Sequence, residues 1–115
     1  MTVQTNPNIA IAQGQLDAYN VQDVDAMMAF YAPDVIVSGL NGTPTETDRE
    51  ALRARYVKAF AQFPQNKAEL KNRIAVGSTV ADHEHVVRAP GGETFDVIAI
   101  YTFRDGLIAR VDFAK

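Results

Sequence analysis

The stretch that decides the fold is residues 67–113, which read KAELKNRIAVGSTVADHEHVVRAPGGETFDVIAIYTFRDGLIARVDF. From Lys67 onward, apolar and polar residues alternate with a period of two, which is typical of half-buried strands. Turn sequences interrupt this pattern at Gly77-Ser78, at Pro90-Gly91-Gly92 and at Arg104-Asp105-Gly106. Because Gly and Asp-Gly pairs favour tight reversals of the chain, the stretch predicts four strands in an antiparallel meander.

The chain before residue 67 has helical spacing instead, with apolar residues at Ile9, Ala12 and Leu16. The predicted elements are a helix starting at Asn6-Pro7, a short helix from Asp23 to Pro33, a strand at 35–37, a loop at 39–46 and a helix from the capping box 47–50 to Pro64. The order α-α-β-α-β-β-β-β predicts the α+β class. We expect three N-terminal helices packed on a curved antiparallel sheet, in one domain spanning residues 1–115.

Composition excludes several classes of protein. The 115 residues carry 11 basic and 14 acidic side chains, a formal net charge of -3, and 47% are hydrophobic. Zero cysteines exclude disulfides, thiolate metal sites and a cysteine nucleophile. Mild acidity without a basic run argues against nucleic-acid binding. Residues 1–8 show no secretory signal, and no apolar stretch approaches the roughly 20 residues that span a bilayer. We therefore expect a cytoplasmic protein without a membrane partner.

The strand at 96–103 is apolar on both faces. Val97, Ala99 and Tyr101 share one face, and Ile98 and Ile100 share the other. A strand that is apolar on both sides is usually covered on both sides. The helices can cover one face, so a second copy of the sheet is the simplest cover for the other, and we predict a homodimer through the sheet. The alternative is a monomer with an exposed apolar patch.

Several short motifs follow one another along the chain. They are Asp23-Val24-Asp25-Ala26, Phe30-Tyr31-Ala32-Pro33-Asp34-Val35, Arg49-Glu50-Ala51-Leu52 before Tyr56, Asp82-His83-Glu84, and Ala99-Ile100-Tyr101 before Arg104-Asp105-Gly106-Leu107-Ile108. In this order and spacing they resemble the NTF2-like superfamily, in its SnoaL-like and ketosteroid-isomerase-like branch. The resemblance implies an NTF2-like cone, with a cavity between the helices and the concave sheet face. It implies no single activity, because this fold hosts enzymes, ligand binders and interaction modules.

The resemblance also argues against steroid isomerisation. Where ketosteroid isomerases place their general base, this chain has Gly39, and where they place the two oxyanion-binding groups it has Gln15 and Ala99. An enolisation needs a base near the carbon and strong donors at the oxygen. The tyrosines that support the family's oxyanion network match Tyr31 and Tyr56, although aromatic residues at these positions also suit a plain scaffold role.

Acidic residues appear instead where the cavity is expected. Strand parity combined with the family alignment places Asp82, Glu84 and Asp112 inward beside Tyr101. Carboxyls in an apolar cleft raise one another's pKa and can then act as acid or base. The candidate catalytic residues are Glu84, Asp112 and Tyr56. The candidate ligand-binding residues are Gln15, Tyr19, Tyr31, Phe60, Asp82, Val97, Ala99 and Tyr101. The alternative is that the carboxyls are structural or solvated and that the aromatic side chains fill the cavity.

His83 and His85 lie two residues apart, so they share one face of a strand. Two imidazoles at this spacing can chelate a metal ion, but the sequence assigns no third ligand and parity points both away from the cavity. We therefore predict no metal and no cofactor, and place the pair in solvent or at the dimer interface.

Three function classes remain open. The first is a binding protein for a small apolar or polycyclic molecule. The second is a cofactor-free enzyme of the isomerase, cyclase or hydrolase type, with Glu84 or Asp112 as acid or base and Tyr56 or Tyr101 as the positioning hydroxyl. The third is an interaction module that uses the outer sheet face. An open cavity with perturbed carboxyls favours the first two classes, and a filled cavity favours the third.

Overall fold

The computed structural model describes residues 6–115, and residues 1–5, part of the segment in which no secretory signal is expected, lie outside it. The elements are α1 (Pro7–Asn20), α2 (Val24–Met28), β1 (Tyr31–Gly39), β2 (Pro44–Glu46), α3 (Arg49–Gln62), β3 (Lys67–Val76), β4 (Thr79–Val87), β5 (Thr94–Arg104) and β6 (Leu107–Ala114). The predicted α+β class is confirmed. Among the described residues, no helix is long and apolar enough to cross a membrane.

The six strands form one sheet in the order β2-β1-β6-β5-β4-β3. The meander β3-β4-β5-β6 is antiparallel as predicted, but β1 lies parallel to β6, with Ile36 opposite Arg110. The prediction of a wholly antiparallel sheet is therefore wrong. A parallel pair requires a long crossover connection, here through α3 and the four strands β2 to β5, and no local turn sequence reports such a pairing.

Three local boundaries also differ from the prediction. The second helix ends at Met28 and does not reach Pro33, which lies inside β1, so the predicted strand at 35–37 begins earlier, at Tyr31. Pro44–Glu46, expected to be loop, pairs with β1 as the edge strand β2. The N-cap of α3 is Asp48, whose Oδ1 accepts from the Ala51 amide at 2.7 Å, and the predicted capping box at Thr47 is wrong by one residue. Asp is as good an N-cap as Ser and better than Thr, so the neighbouring carboxylate takes the role. The caps at Asn6 and Asp23 are confirmed.

The helices and the inner face of the sheet enclose the hydrophobic core. Members of its main cluster include Ala12, Met27, Met28, Leu52, Phe60, Val35, Val80, Ala99, Ile108 and Val111. A second cluster around Leu16, Ala68, Val86 and Val97 continues the core towards the other end of the sheet. Of the described glycines, Gly14 in α1 is the one with a close side-chain approach: a Cβ there would lie 2.6 Å from the Phe30 ring, so glycine permits this helix to pack closely.

Candidate functional site

A chamber of about 620 Å³ lies between the helices and the inner face of the sheet. The predicted residues that line it are Gln15, Tyr19, Tyr56, Phe60, Glu84, Val97 and Tyr101. The aromatic side chains do not fill the cavity. Tyr19, Tyr56 and Phe60 pack against one another in edge-on or tilted contacts and leave the chamber open. A chamber of this size is within the range that holds a drug-sized molecule.

Glu84 brings a carboxyl into this chamber from the middle of β4. Its side chain is 7% exposed, and its buried Oε2 has no hydrogen-bond partner among residues 6–115. Burial raises the pKa of Glu84 to about 7, with a further upward contribution from Asp82 and a downward one from Arg73. A carboxyl with this pKa is present in both protonation states at neutral pH, so it can accept or release a proton.

Asp82 lies on the same face of β4 but is fully paired. Arg73 Nε donates to Oδ1 at 2.7 Å and Nη2 donates to Oδ2 at 2.9 Å, while Arg73 Nη1 donates to Gln13 Oε1 at 2.9 Å. The Asp82 side chain is completely buried, and the residue does not line the chamber. A bidentate pair of this kind satisfies both carboxylate oxygens, so Asp82 acts on the site through its charge. Its predicted role in ligand contact is wrong.

Gln15 joins two tyrosines beneath the chamber. Its Nε2 donates to Tyr101 OH at 2.8 Å, and Tyr31 OH donates to its Oε1 at 2.9 Å. Burial raises the pKa of Tyr31 and of Tyr101 well above the ordinary value, with Glu84 among the charges that add to it. Both phenols therefore stay protonated. Tyr31 is buried and does not line the chamber, so it positions Gln15 and Tyr101 instead of touching a ligand.

Asp112 does not face the chamber, and this prediction is wrong. In the β5–β6 ladder Phe113 lies opposite Ala99, and Asp112 lies opposite Ile100 on the outer face. Its carboxylate accepts from Arg110 and from Ser38, and the Arg110 hydrogen bond holds its pKa below the ordinary value.

An irregularity in β6 causes this shift. The ladder pairs Phe103 with Ile108 and then Thr102 with Arg110, so β6 has one extra residue in this ladder. Such a bulge moves every later side chain of the strand to the opposite face. Ala99, also predicted to contact ligand, is fully buried and does not line the chamber.

Several lining residues escaped the sequence analysis, among them Arg88, Asn66, Phe95, Phe113, Arg55 and Lys115. Arg88 was accessible to the parity argument, because it follows Glu84 by four residues and so shares its face. The Arg55 guanidinium on α3 lies over the rings of Tyr56 and Phe113 and pairs with Glu46 at 2.7 Å.

The two histidines lie away from the chamber, as their parity predicted. His83 Nε2 and His85 Nδ1 each lie 2.6 Å from one carboxylate oxygen of Asp96 on β5. Hydrogen bonds from His85 and His83 lower the pKa of Asp96. No group of three or more His, Asp or Glu side chains within residues 6–115 is arranged to hold a metal ion.

The chain is similar to a known domain family and to several solved structures. The family model described as the SnoaL-like domain matches residues 12–111. An uncharacterised cystatin-fold protein from Novosphingobium aromaticivorans is 35% identical, with a TM-score of 0.90 over 96% of this chain and 100% of that one. A proposed polyketide cyclase from Sinorhizobium meliloti is 24% identical, with a TM-score of 0.78 over 95% of this chain and 99% of that one. A proposed ketosteroid isomerase from Kribbella flavida is 19% identical, with a TM-score of 0.80 over 94% of this chain and 76% of that one. No curated protein matches the chain.

Proposed function

This chain belongs to the SnoaL-like domain family, and from that membership we propose that it binds a small, largely apolar, ring-bearing molecule and exchanges a proton with it through Glu84. The observation that carries the proposal is the buried Glu84 Oε2, which has no protein partner in residues 6–115 and belongs to a chamber-lining residue. A buried polar atom without a partner is costly, and such an atom in a residue that lines a chamber points to a binding or catalytic role. The names of the polyketide-cyclase and ketosteroid-isomerase relatives are consistent with a ring-bearing ligand.

The proposed chemistry is proton transfer next to a carbonyl. The Glu84 carboxylate takes a proton from carbon, the electron pair moves towards the carbonyl oxygen, and the Glu84 carboxylic acid returns the proton at a second position. The Tyr56 hydroxyl is the proposed donor to the oxygen, because the residue lines the chamber and burial raises the pKa of its phenol. Tyr101 is a second candidate donor, held in place by Gln15. None of these steps requires a cofactor.

Steroid isomerisation is not proposed. Gly39 lines the chamber at the position where a base is expected, and it has no side chain to accept a proton. Ala99 has no donor, and the Gln15 amide, already bonded to Tyr101, is a weaker donor than a phenol or a carboxylic acid.

A thermal-shift ligand screen tests the proposal. Steroids, aromatic polyketide-like compounds, terpenoid lactones and short fatty acids are added to wild type, Glu84→Gln and Asp112→Asn. A ligand specific for the native state should add roughly 3 kcal/mol at a hundredfold excess over its Kd. We expect at least one ring-bearing hit that weakens in Glu84→Gln and is unchanged in Asp112→Asn, whose carboxyl lies on the outer face. A screen without any hit contradicts the proposal.

We also propose that two copies associate through the outer face of the sheet. Ile74, Val76 and Ile98 lie on that face and are 67%, 74% and 42% exposed, which is unusual for large apolar side chains on one surface. Light scattering at micromolar concentration should give twice 12.6 kDa for wild type and 12.6 kDa for Ile98→Glu. A wild-type monomer contradicts the dimer. The cytoplasmic location and the lack of nucleic-acid and membrane partners stay predictions.

The outer face also supports a second candidate function, a non-catalytic module that binds another protein there. The exposed side chains of Ile74, Val76 and Ile98 favour this interaction module. The thermal-shift screen distinguishes it from the ligand-binding function. Binding of a ligand in the chamber supports the pocket function, whereas an empty screen together with a monomeric wild-type protein supports the interaction module.

A further inference from the structure

The charge along the chamber wall changes sign between the middle of β4 and the residue that follows the strand. Glu84 and Val86 lie on the inner face of β4, Arg88 follows its last residue, and all three line the chamber. Because an extended chain advances about 3.4 Å per residue, the Cα atoms of Glu84 and Arg88 are at most about 14 Å apart. The chamber therefore has an acidic group at one position, an apolar middle and a basic group at the other.

The Arg88 guanidinium is held in place without being neutralised. Its Cζ lies 4.8 Å from the ring centroids of both Phe63 and Phe95, and Nη1 donates to Asn66 Oδ1 at 3.0 Å. Asn66 is 1% exposed and donates through Nδ2 to Tyr19 OH, so the amide is fixed as well. No carboxylate within residues 6–115 forms an ion pair with Arg88. Guanidinium has five N–H donors, so several are left for a ligand.

The other arginines near the chamber are already neutralised. Arg55 pairs with Glu46, and Arg73 pairs with Asp82. A second cation does lie near Arg88, since Lys115 lines the chamber with its Nζ 4.3 Å from the Phe95 ring centroid. Positive charge without a carboxylate partner is thus concentrated at the Arg88 end of the chamber, around Phe95.

We infer that the ligand of this chamber carries a carboxylate, which Arg88 binds, and that its reacting carbon lies at the opposite end beside Glu84. This inference rests on the proposed function and adds the substrate class and its orientation. A planar carboxylate fits the fork of a guanidinium through two parallel hydrogen bonds. A phosphate, with more charge and stronger hydration, fits less well between two phenylalanine rings.

The same charge pattern fixes the direction in which the ligand binds. A carboxylate turned towards Glu84 meets a buried acid that has no compensating cation of its own, because Arg73 is bound to Asp82. Like charges in a poorly solvated site repel strongly. The acid group of the ligand is therefore excluded from the Glu84 end, and one face of the molecule is presented to the proton-exchanging group.

Matched probes test this inference by isothermal titration at pH 8 and low salt. 2-Naphthoic acid and 2-naphthamide share a ring system and nearly the same shape, but only the acid is charged. We expect wild type to bind the acid at least tenfold more tightly than the amide, and the preference to shrink as salt is added. Arg88→Gln should lose the preference and keep its affinity for the amide. Arg104→Gln, which removes an exposed arginine that is paired with Asp34 and does not line the chamber, should keep the preference.

The outcomes separate the two proposals. Equal affinity for both probes in wild type overturns the carboxylate inference and leaves the pocket function standing. Binding of neither probe, together with an empty ligand screen, overturns both. A preference that survives in Arg88→Gln overturns the assignment to Arg88. If Arg88→Gln does not fold, Arg88→Lys retains the charge without the fork and should show a preference smaller than that of wild type; an unchanged preference there contradicts fork recognition.

Discussion

Asp82 and Glu84 lie two residues apart on the same face of β4, but their electrostatic surroundings are opposite. Both oxygens of Asp82 accept hydrogen bonds from Arg73, whereas Oε2 of Glu84 has no hydrogen-bond partner among residues 6–115. Because the pairing stabilises the charge on Asp82, that charge adds to burial in raising the pKa of Glu84. One ion pair therefore keeps one carboxylate structural and helps to make the next one reactive.

The first prediction concerns the pH dependence of stability. The pKa of Glu84 is about 7 in the folded protein against an ordinary 4.5, so the folded protein binds more protons than the unfolded chain between these pH values. The free energy of unfolding should therefore fall as pH rises through this interval. Glu84→Gln, which does not titrate, should be more stable than wild type at pH 8 by on the order of 3 kcal/mol.

Urea denaturation of both proteins from pH 4 to pH 8 measures this difference. We expect it to fade as pH falls to about 4, below the ordinary pKa of 4.5, because Glu84 is then largely protonated in both the folded and the unfolded state. Asp112→Asn serves as the control, because its carboxyl faces outward and its pKa is lowered by Arg110. A difference between wild type and Glu84→Gln that is constant with pH contradicts the account.

The second prediction concerns the buried ion pair. Asp82→Asn leaves Arg73, 13% exposed in its side chain, without a counter-charge, and should destabilise the protein by about 3 kcal/mol. It should also lower the pKa of Glu84, since it removes a negative charge and leaves the positive one. Chemical denaturation and a carboxyl NMR titration measure the two effects. Unchanged titration of Glu84 would show that Asp82 does not act on it.

The third prediction compares two glycines. A Cβ at Gly14 would lie 2.6 Å from the Phe30 ring, whereas a Cβ at Gly39 meets nothing within 4 Å. Gly14→Ala gains about 1 kcal/mol of helix preference but must displace the outer edge of the half-buried Phe30 ring, and overpacking costs about 1–3 kcal/mol. We therefore expect a net loss of up to about 2 kcal/mol. Gly39→Ala should change stability by no more than about 0.5 kcal/mol. Thermal melts of the two variants give the comparison, and equal effects would contradict the close packing of α1 on Phe30.

The fourth prediction concerns the support of the chamber floor. Gln15→Leu removes the amide that joins Tyr31 and Tyr101, so both buried hydroxyls lose a partner. Each lost partner costs about 1–3 kcal/mol, and the variant should also weaken any ligand that Tyr101 contacts. Gln13→Leu, which removes the more exposed amide that bonds to Arg73, should have a smaller effect on ligand affinity. Thermal melts measure the loss of stability, and titrations with a ligand found in the screen measure the loss of affinity. An equal loss of affinity in the two variants contradicts a role for Gln15.

The sequence pattern correctly predicted which side chains line the chamber where the strands alternate regularly, and it failed where a strand is irregular. Strand parity predicted that Val97 and Tyr101 face inward, and the family resemblance implied the same for Glu84. All three line the chamber, and the antiparallel ladder between β4 and β5 is regular. The same rule failed for Asp112. A regular two-residue hairpin at Asp105-Gly106 would put Asp112 opposite Ala99, and the extra residue in β6 turns it outward.

Strand pairings between residues far apart in the chain could not be predicted from the local sequence pattern. The parallel pairing of β1 with β6 depends on the whole chain between them, and the edge strand at Pro44–Glu46 is three exposed or half-buried residues with no alternation to detect. Arg88 was overlooked because an arginine at the end of a strand is usually solvated. Its inward direction does follow from the parity that it shares with Glu84, and its guanidinium lies against Phe95 on the next strand and Phe63 at the end of α3.

The pKa of Glu84 itself distinguishes a buried carboxyl that can exchange a proton at neutral pH from a solvated one. Protein labelled with ¹³C at glutamate side-chain carboxyls is titrated from pH 3 to pH 9, with Glu84→Gln used to assign the resonance. The account predicts a midpoint near 7, set chiefly by burial in the chamber. A midpoint near the ordinary value of 4.5 would mean that Glu84 is solvated, and it would contradict the proposed proton transfer.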